Sequence, residues 1–488
     1  MSSSLRVGSI IRVLGHLLLV EALMLLLPLI VGVAYGETDW WCFAVAFVAA
    51  LVAGGVTELI TRHVRVTVRA REGFVITALV WVVYGLFGMI PFMLCSRPLG
   101  FTDAMFEVIS GFTTTGASMI TDVEACSHGI LLWRALTQWI GGLGIVFFML
   151  AVLPEFNKPT GISMFNAEAT GITHSKLHPR IRQTAVSVWG VYTALTVVSI
   201  LLLWAGPMNL FDSVCQTFAA VATGGFSTKN AGVAYWDSDY AMVVLSGVMF
   251  VAGMNFMTLY GAFRSRSLRE ITGNDVFRTF MWVVIGAYAL MMIPVMCMQG
   301  NDTADGSAVD ALFHVVSAIT STGFSVPGAE EWGPFALFLT ILLMVCGACT
   351  GSTSGGIKVD RFMVLGRNVF NEIKRTVFPK RTYVVRLGGN ALDNAVVSRI
   401  LAFVSLYLFT IIVSTAVVTL YGYSFTDALF MVCSCIGCNG LGYGVTGADG
   451  SFALLPCGVK WLLVFDMLAG RLELFTFLVL LVPSFWKR

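Results

Sequence analysis

Apolar positions along this chain fall into runs of two lengths, and the shorter runs repeat. Long runs near residues 10–33, 39–61, 73–95, 184–205, 275–298 and 394–420 carry few charges. Each predicts a helix long enough to cross about 30 Å of hydrocarbon. Between them lie short runs opened by an aspartate: DAMFEVISGFTTTGAS from Asp103, DSVCQTFAAVATGGFS from Asp212, DALFHVVSAITSTGFS from Asp310 and DALFMVCSCIGCNGLG from Asp427. The interval to a following glycine is constant, since 116−103, 225−212, 323−310 and 440−427 all equal 13.

Each short run predicts a half-helix N-capped by its aspartate, roughly 15 Å long and too short to span, so the segment dips in and returns. The Thr/Ser/Gly stretch that follows needs backbone angles that glycine permits. Irregular backbone at membrane depth is tolerated only against protein or water, so the four stretches should meet around an aqueous path. With glycine at 116, 225, 323 and 440, the carbonyls just before them are free to form a ring that replaces the hydration shell of a cation. The inward C-terminal ends of the half-helices favour the same charge.

Composition puts this arrangement in a membrane: 57% of the 488 residues are hydrophobic, 12% are charged, and the mean hydropathy is +0.83. The net charge of +2 resides in loops and forms no nucleic-acid-binding domain. Most of the eleven cysteines sit in apolar segments, and Cys346 and Cys349 lack a second ligand pair, so they read as small buried hydrophobes. No cleavage-like small-residue site follows residues 10–33, which read as a retained span.

Basic residues set the orientation. Arg62, Arg65, Arg69 and Arg71 mark one loop; Lys158, Lys176, Arg180 and Arg182 the next; then Arg264, Arg266 and Arg269, then Lys374, Arg375, Lys380, Arg381 and Arg386, and finally Lys487 and Arg488. Positive-inside bias makes all of these, and both termini, cytoplasmic. Return spans are expected near 129–153, 239–262, 334–370 and 457–483, the first with Trp133, Arg134 and Trp139 at its interfacial end. The sequon at 301–303 reads as a solvated outer turn.

The predicted fold is therefore an all-α integral membrane protein with four pseudo-symmetric helix–pore loop–helix repeats around a central ion pore. The repeats occupy 71–157, 158–270, 271–385 and 386–488, after two accessory transmembrane helices within 1–70. Glycine-to-glycine spacings of 109, 98 and 117 (225−116, 323−225, 440−323) make each repeat one whole unit.

Two stretches break the pattern. Residues 346–361, CGACTGSTSGGIKVDR, place Gly347, Gly351, Gly355 and Gly356 among hydroxyls where a span should be most apolar, which marks a non-helical candidate gate below the ring. Arg471 lies in the last span, where a charge costs about 2.5–3.5 kcal/mol unless it meets water or a partner. Glu473, two residues on, points elsewhere on a helix, so Arg471 is expected to face the pore. His314 and Glu107 read as packing or hydrogen-bonding residues behind the ring, and Asp466 has no clear claim to the path. No Ser/His, Asp-pair or His-rich constellation suggests an enzyme. Four units of one topology disfavour an inverted-repeat carrier.

The runs TTTGAS, ATGGFS, STGFS and NGLGYG, the loop GSTSGGIKVDR, the helix MLAGRLELFT and the segments HPRIRQTA and VVRLGGNAL together resemble the TrkH-type potassium-uptake subunits of the Trk/Ktr/HKT superfamily, over nearly the whole chain. That resemblance implies a multi-pass protein of the bacterial cytoplasmic (inner) membrane. It implies potassium held by filter backbone at Thr114, Thr115, Gly116, Thr223, Gly224, Gly225, Ser321, Thr322, Gly323, Cys438, Asn439 and Gly440. It also implies a gate at 346–356, a pore-facing Arg471, a homodimer, a cytosolic nucleotide-binding subunit of the TrkA type, and no cofactor beyond transported K+. The fourth filter departs from the family pattern, with Cys438, Asn439 and Leu441 around Gly440 instead of Asn, Leu and Pro. Channel-like uptake leads these readings, with symport coupled to sodium or protons as the alternative.

Overall fold

The computed structural model describes residues 5–64, 66, 68–144, 181–298, 308–447 and 451–486. Six helices among them are long and apolar enough to cross a membrane: Val7–Ala34, Trp40–Thr61, Arg71–Leu94, Ala185–Trp204, Asp275–Cys297 and Asn394–Leu420. All six lie within a few residues of the spans expected from hydropathy alone. Residues 145–153 of the first return span, Arg65, Lys158, Lys176 and Arg180, the sequon, and Lys487 with Arg488 lie outside the described residues. The architecture is all-α; the strands among the described residues are a two-residue pair, Arg386–Leu387 against Asn390–Ala391.

The two accessory helices, Val7–Ala34 and Trp40–Thr61, pack closely where Gly15 meets Gly54, since a Cβ at Gly54 would lie 3.0 Å from the Gly15 carbonyl oxygen. The first repeat is fastened to them through Tyr84 Oη, which donates to the Leu17 carbonyl at 2.8 Å.

Four half-helices follow the repeated aspartates: Phe101–Phe112, Leu210–Ala222, Ala308–Ile319 and Phe425–Ile436. At 12 or 13 residues each they are about 18–20 Å long. The aspartates are not the caps that the sequence suggested. Each is the third helical residue, and the capping position belongs to Gly100, Asn209 and Ser424 in the first, second and fourth. Asn209 and Ser424 accept from the backbone N–H groups of Asp212 and Asp427 at 2.8 and 3.1 Å. A carboxylate in this first turn meets the positive end of the helix dipole and is free to tie the helix elsewhere. Asp212 accepts from Thr228 Oγ1 at 2.6 Å, and Asp103 takes Lys460 Nζ at 2.6 Å, which joins the last return helix to the first half-helix.

The second, third and fourth return spans differ most from expectation, because they break midway. The sequence flagged only the third, which does divide into Pro334–Cys346 and Val359–Val377. The second bends by 95° between Asp239–Ala252 and Phe256–Ser265. There Asn255 starts a new helix, its Oδ1 accepting from Met257 N at 2.9 Å and Thr258 N at 3.1 Å. The fourth runs only from Cys457 to Arg471, after which Glu473 and Leu474 take φ of 53° and 47°. The first helix, His128–Gly142, ends in a turn at Leu143. Its Trp133 and Arg134 are 0% and 2% exposed, so they do not mark a membrane interface as expected. This helix packs between the half-helices of the first and second repeats, and its polar side chains turn toward the turns that follow them.

Candidate functional site

All four half-helices end in the same backbone turn. Thr114, Thr223, Ser321 and Cys438 have φ of 57°, 55°, 52° and 50°, and Gly116, Gly225, Gly323 and Gly440, two residues on, have φ of 85°, 76°, 81° and 75°. A non-glycine residue in the left-handed region costs roughly 1–2 kcal/mol, so four at one register are imposed by their surroundings. Part of that constraint is a hydrogen bond from each intervening residue back to its half-helix: Thr115 N to Ser110 O, Gly224 N to Ala219 O, Thr322 N to Ser317 O and Asn439 N to Ser434 O, at 2.8–2.9 Å.

These turns close into a ring in chain order. A Cβ added at Gly116 would lie 2.0 Å from the Gly224 carbonyl oxygen, one at Gly225 2.0 Å from that of Thr322, one at Gly323 1.6 Å from that of Asn439, and one at Gly440 2.0 Å from that of Thr115. The residues expected to supply carbonyls are thus brought together, with the oxygen before each glycine seated against the glycine of the preceding segment in the cycle. Only glycine fits at such contacts. The four glycines are half-buried while the residues just before them are buried, so the ring opens along its own axis.

Behind the ring the first and second turns share a buried brace. Arg134 Nε lies 2.8 Å from Glu107 Oε1, Nη1 donates to Ser227 O at 3.0 Å, and Nη2 donates to Ser118 Oγ at 3.0 Å. Glu107 also accepts from Met119 N at 2.6 Å. Glu107 therefore orders the segment leaving the first turn, in keeping with the hydrogen-bonding role expected of it. One helical turn beyond Arg134, Gln138 Nε2 donates to Gly224 O at 2.7 Å. Sequence reasoning missed Gln138, although an Arg and a Gln four residues apart in an apolar helix were a visible signal. His314 packs against Trp332, with Nε2 2.9 Å from Thr340 Oγ1.

The glycine-rich segment after Cys346 lies directly against this ring. Gly347, Gly351 and Gly356 have φ of 68°, 79° and 74°, and Gly355 abuts the Gly437 carbonyl closely enough to exclude a Cβ. Thr353 Oγ1 is 3.2 Å from Thr223 Oγ1, and Gly355 N donates to Ser321 Oγ at 2.5 Å, so the loop touches two of the left-handed residues. Its outer limb rests on the break in the second return span, where Phe256 N donates to Gly351 O at 3.0 Å and Cys349 N to Gly253 O at 3.1 Å. Arg471 reaches the same place. Nη1 donates to Thr353 O at 2.8 Å and Nη2 to Gly142 O at 2.6 Å, joining the loop to the end of the first return helix. Glu473 pairs with Arg361 on the helix that follows the loop. Asp466 accepts from Ser414 Oγ at 2.8 Å.

A family model described as TrkH, cation transport protein, matches residues 42–488. The chain is 34% identical over 481 residues to the Trk system potassium uptake protein TrkH of Halomonas elongata, covering 98% of this chain and 99% of that protein. It is 34% identical over 487 residues to the protein of the same name from Escherichia coli strain K12, again covering 98% and 99%. The crystal structure of the potassium transporter TrkH from Vibrio parahaemolyticus superimposes with a TM-score of 0.87 at 30% identity, over 99% of this chain and 100% of that one.

Proposed function

Since the chain belongs to the TrkH family of cation transport proteins, we propose that it takes up potassium through the ring of four turns, as a channel-like uptake subunit of a Trk system. The single observation that carries this reading is the closure of the ring, with each glycine against the carbonyl of the next segment and the fourth against the first. Backbone from Thr114 to Gly116, Thr223 to Gly225, Ser321 to Gly323 and Cys438 to Gly440 lines the path, and its carbonyls replace water around the ion. The half-helices contribute their negative ends.

The loop at 346–356, with Gly347, Gly351, Gly355 and Gly356, is the gate, and Arg471 is its latch. The hydrogen bond from Arg471 to Thr353 O supports that pairing. Coupling to sodium or protons would call for an acid in the path, and Asp466 is instead engaged with Ser414. The channel-like reading is therefore the better supported one.

In this reading each repeat is one of the four units bounded at 71–157, 158–270, 271–385 and 386–488. The protein works in the cytoplasmic membrane with both termini inside, as a homodimer. It is served by a cytosolic nucleotide-binding subunit of the TrkA type. The test uses purified protein in liposomes with a potassium gradient and no other ion gradient. Voltage-driven potassium flux is expected, at about 2.3 kcal/mol per charge per 100 mV. Flux that requires a sodium or proton gradient would replace this reading with the symport one.

A further inference from the structure

At three of the four positions just before a ring glycine, the residue has a polar side chain that ties its turn in place. Thr115 Oγ1 is 2.8 Å from Thr113 Oγ1, Thr322 Oγ1 is 2.7 Å from Thr320 Oγ1, and Asn439 Nδ2 donates to Ala318 O at 2.8 Å. Gly224, the fourth, has no side chain to use. Its φ is not among the left-handed ones, so the backbone does not demand glycine there. What excludes a side chain is Gln138: a Cβ at Gly224 would lie 2.5 Å from Gln138 Cδ and 2.7 Å from both amide heteroatoms.

The amide of Gln138 fills that space and does the work of a side chain. It is 0% exposed, it donates to Gly224 O at 2.7 Å, and it accepts from Phe226 N at 3.2 Å, so it grips the second turn on both sides of its ring glycine. Arg134, one turn earlier, holds the next residue through Ser227 O. The Gly224 oxygen is also the one seated against Gly116. Movement of Gln138 would thus reach two quadrants of the ring.

We infer that Gln138 is a specificity-determining positioning residue, supplied by the first repeat as the side chain that the second turn lacks. This inference rests on the ring being the potassium filter. It predicts a reciprocal rescue by a hydroxyl-bearing side chain, where valine of the same shape at 224 fills the space without restoring the ratio. Gln138→Ala removes the donor, and Gly224→Thr drives a side chain into occupied space. The combined variant, Gln138→Ala with Ala222→Thr and Gly224→Thr, gives the second turn the threonine pair of the first (Thr113, Thr115) and third (Thr320, Thr322), in the space Gln138 vacates.

The readout is the ratio of potassium to sodium flux in liposomes, with monodispersity checked by size-exclusion chromatography. Gln138→Ala loses two neutral hydrogen bonds and Gly224→Thr displaces the amide that makes them, so each should lower the ratio by at least about fivefold, the worth of one such bond. The combined variant should recover to within about twofold of the parent, showing coupling instead of additivity. An unchanged ratio in Gln138→Ala, or a combined variant no better than the poorer single, overturns the inference. If Gln138→Ala is not monodisperse, Gln138→Glu keeps the volume and the acceptor for Phe226 N but sets an oxygen against Gly224 O; an unchanged ratio there also overturns it. Gly116→Ser is the control for the premise. If it shifts the ratio while the Gln138 variants do not, only this inference fails; if it too leaves the ratio unchanged, the filter reading itself fails.

Discussion

Replacing Arg471 with alanine tests the gate most directly, because its guanidinium joins three parts of the molecule. It donates to Thr353 O in the loop at 2.8 Å and to Gly142 O at the end of the first return helix at 2.6 Å, from a position in the fourth repeat. Arg471→Ala deletes these bonds together with a positive charge beside the proposed path. A hydrogen bond from a charged donor contributes about 1.5–3 kcal/mol, so losing the Thr353 bond alone should raise the open-to-closed ratio roughly 10- to 150-fold. The remaining anchors, Thr353 Oγ1 on Thr223 and Gly355 N on Ser321 Oγ, still hold the loop, which keeps the expected rise toward the lower end. Flux would be measured on purified protein in liposomes, per folded molecule, alongside the ratio of potassium to sodium. Flux should rise and the ratio should stay, because the ring carbonyls are untouched. Deleting 351–356 should raise flux as well. Combined with Arg471→Ala it should add less than the sum, since both remove one latch. A monodisperse Arg471→Ala protein that conducts the same as the parent or less would refute the latch.

Gly116→Ser should lower the preference for potassium, because its Cβ would displace the Gly224 carbonyl and its hydroxyl would intrude on one quadrant; the liposome flux ratio checks it. Glu107→Ala strips Arg134 of its buried counter-charge and should cost about 3–5 kcal/mol of stability, read as a lower Tm in detergent. Outside the membrane, Asp122 is held below the usual aspartate value of 3.8, first by its hydrogen bond from Asn230 and then by Arg97. A depressed carboxyl stabilises above that value and loses its contribution as pH falls through its folded value, so the outer link between the first two repeats should loosen only below about pH 4. Hydrogen exchange across 119–126 and 228–236 should speed up there, and Asp122→Asn should remove that acid dependence.

What the sequence determined by itself was local and periodic. Apolar run lengths located the spans, since a helix must reach across a fixed thickness of hydrocarbon. The constant interval of 13 residues located Gly116, Gly225, Gly323 and Gly440, since one half-helix and one turn use up the same chain in every repeat. The polar glycines after Cys346 announced a break, because a helix has no use for them at that depth. Local pattern did mislead at Asp103, Asp212 and Asp427, which sit inside the first turn where the cap is Gly100, Asn209 or Ser424. Capping and first-turn positions both favour aspartate, and composition alone does not separate them. Tertiary structure decided everything that depends on which repeat faces which. That Gly440 closes against Thr115, that Gln138 stands in for a side chain at Gly224, that Arg134 is buried on Glu107, and that Arg471 spans from Thr353 to Gly142 are contacts between residues about 30 to 330 positions apart. A helix period says which face is polar but not what that face will meet. Only closing four repeats around one axis supplies the partner.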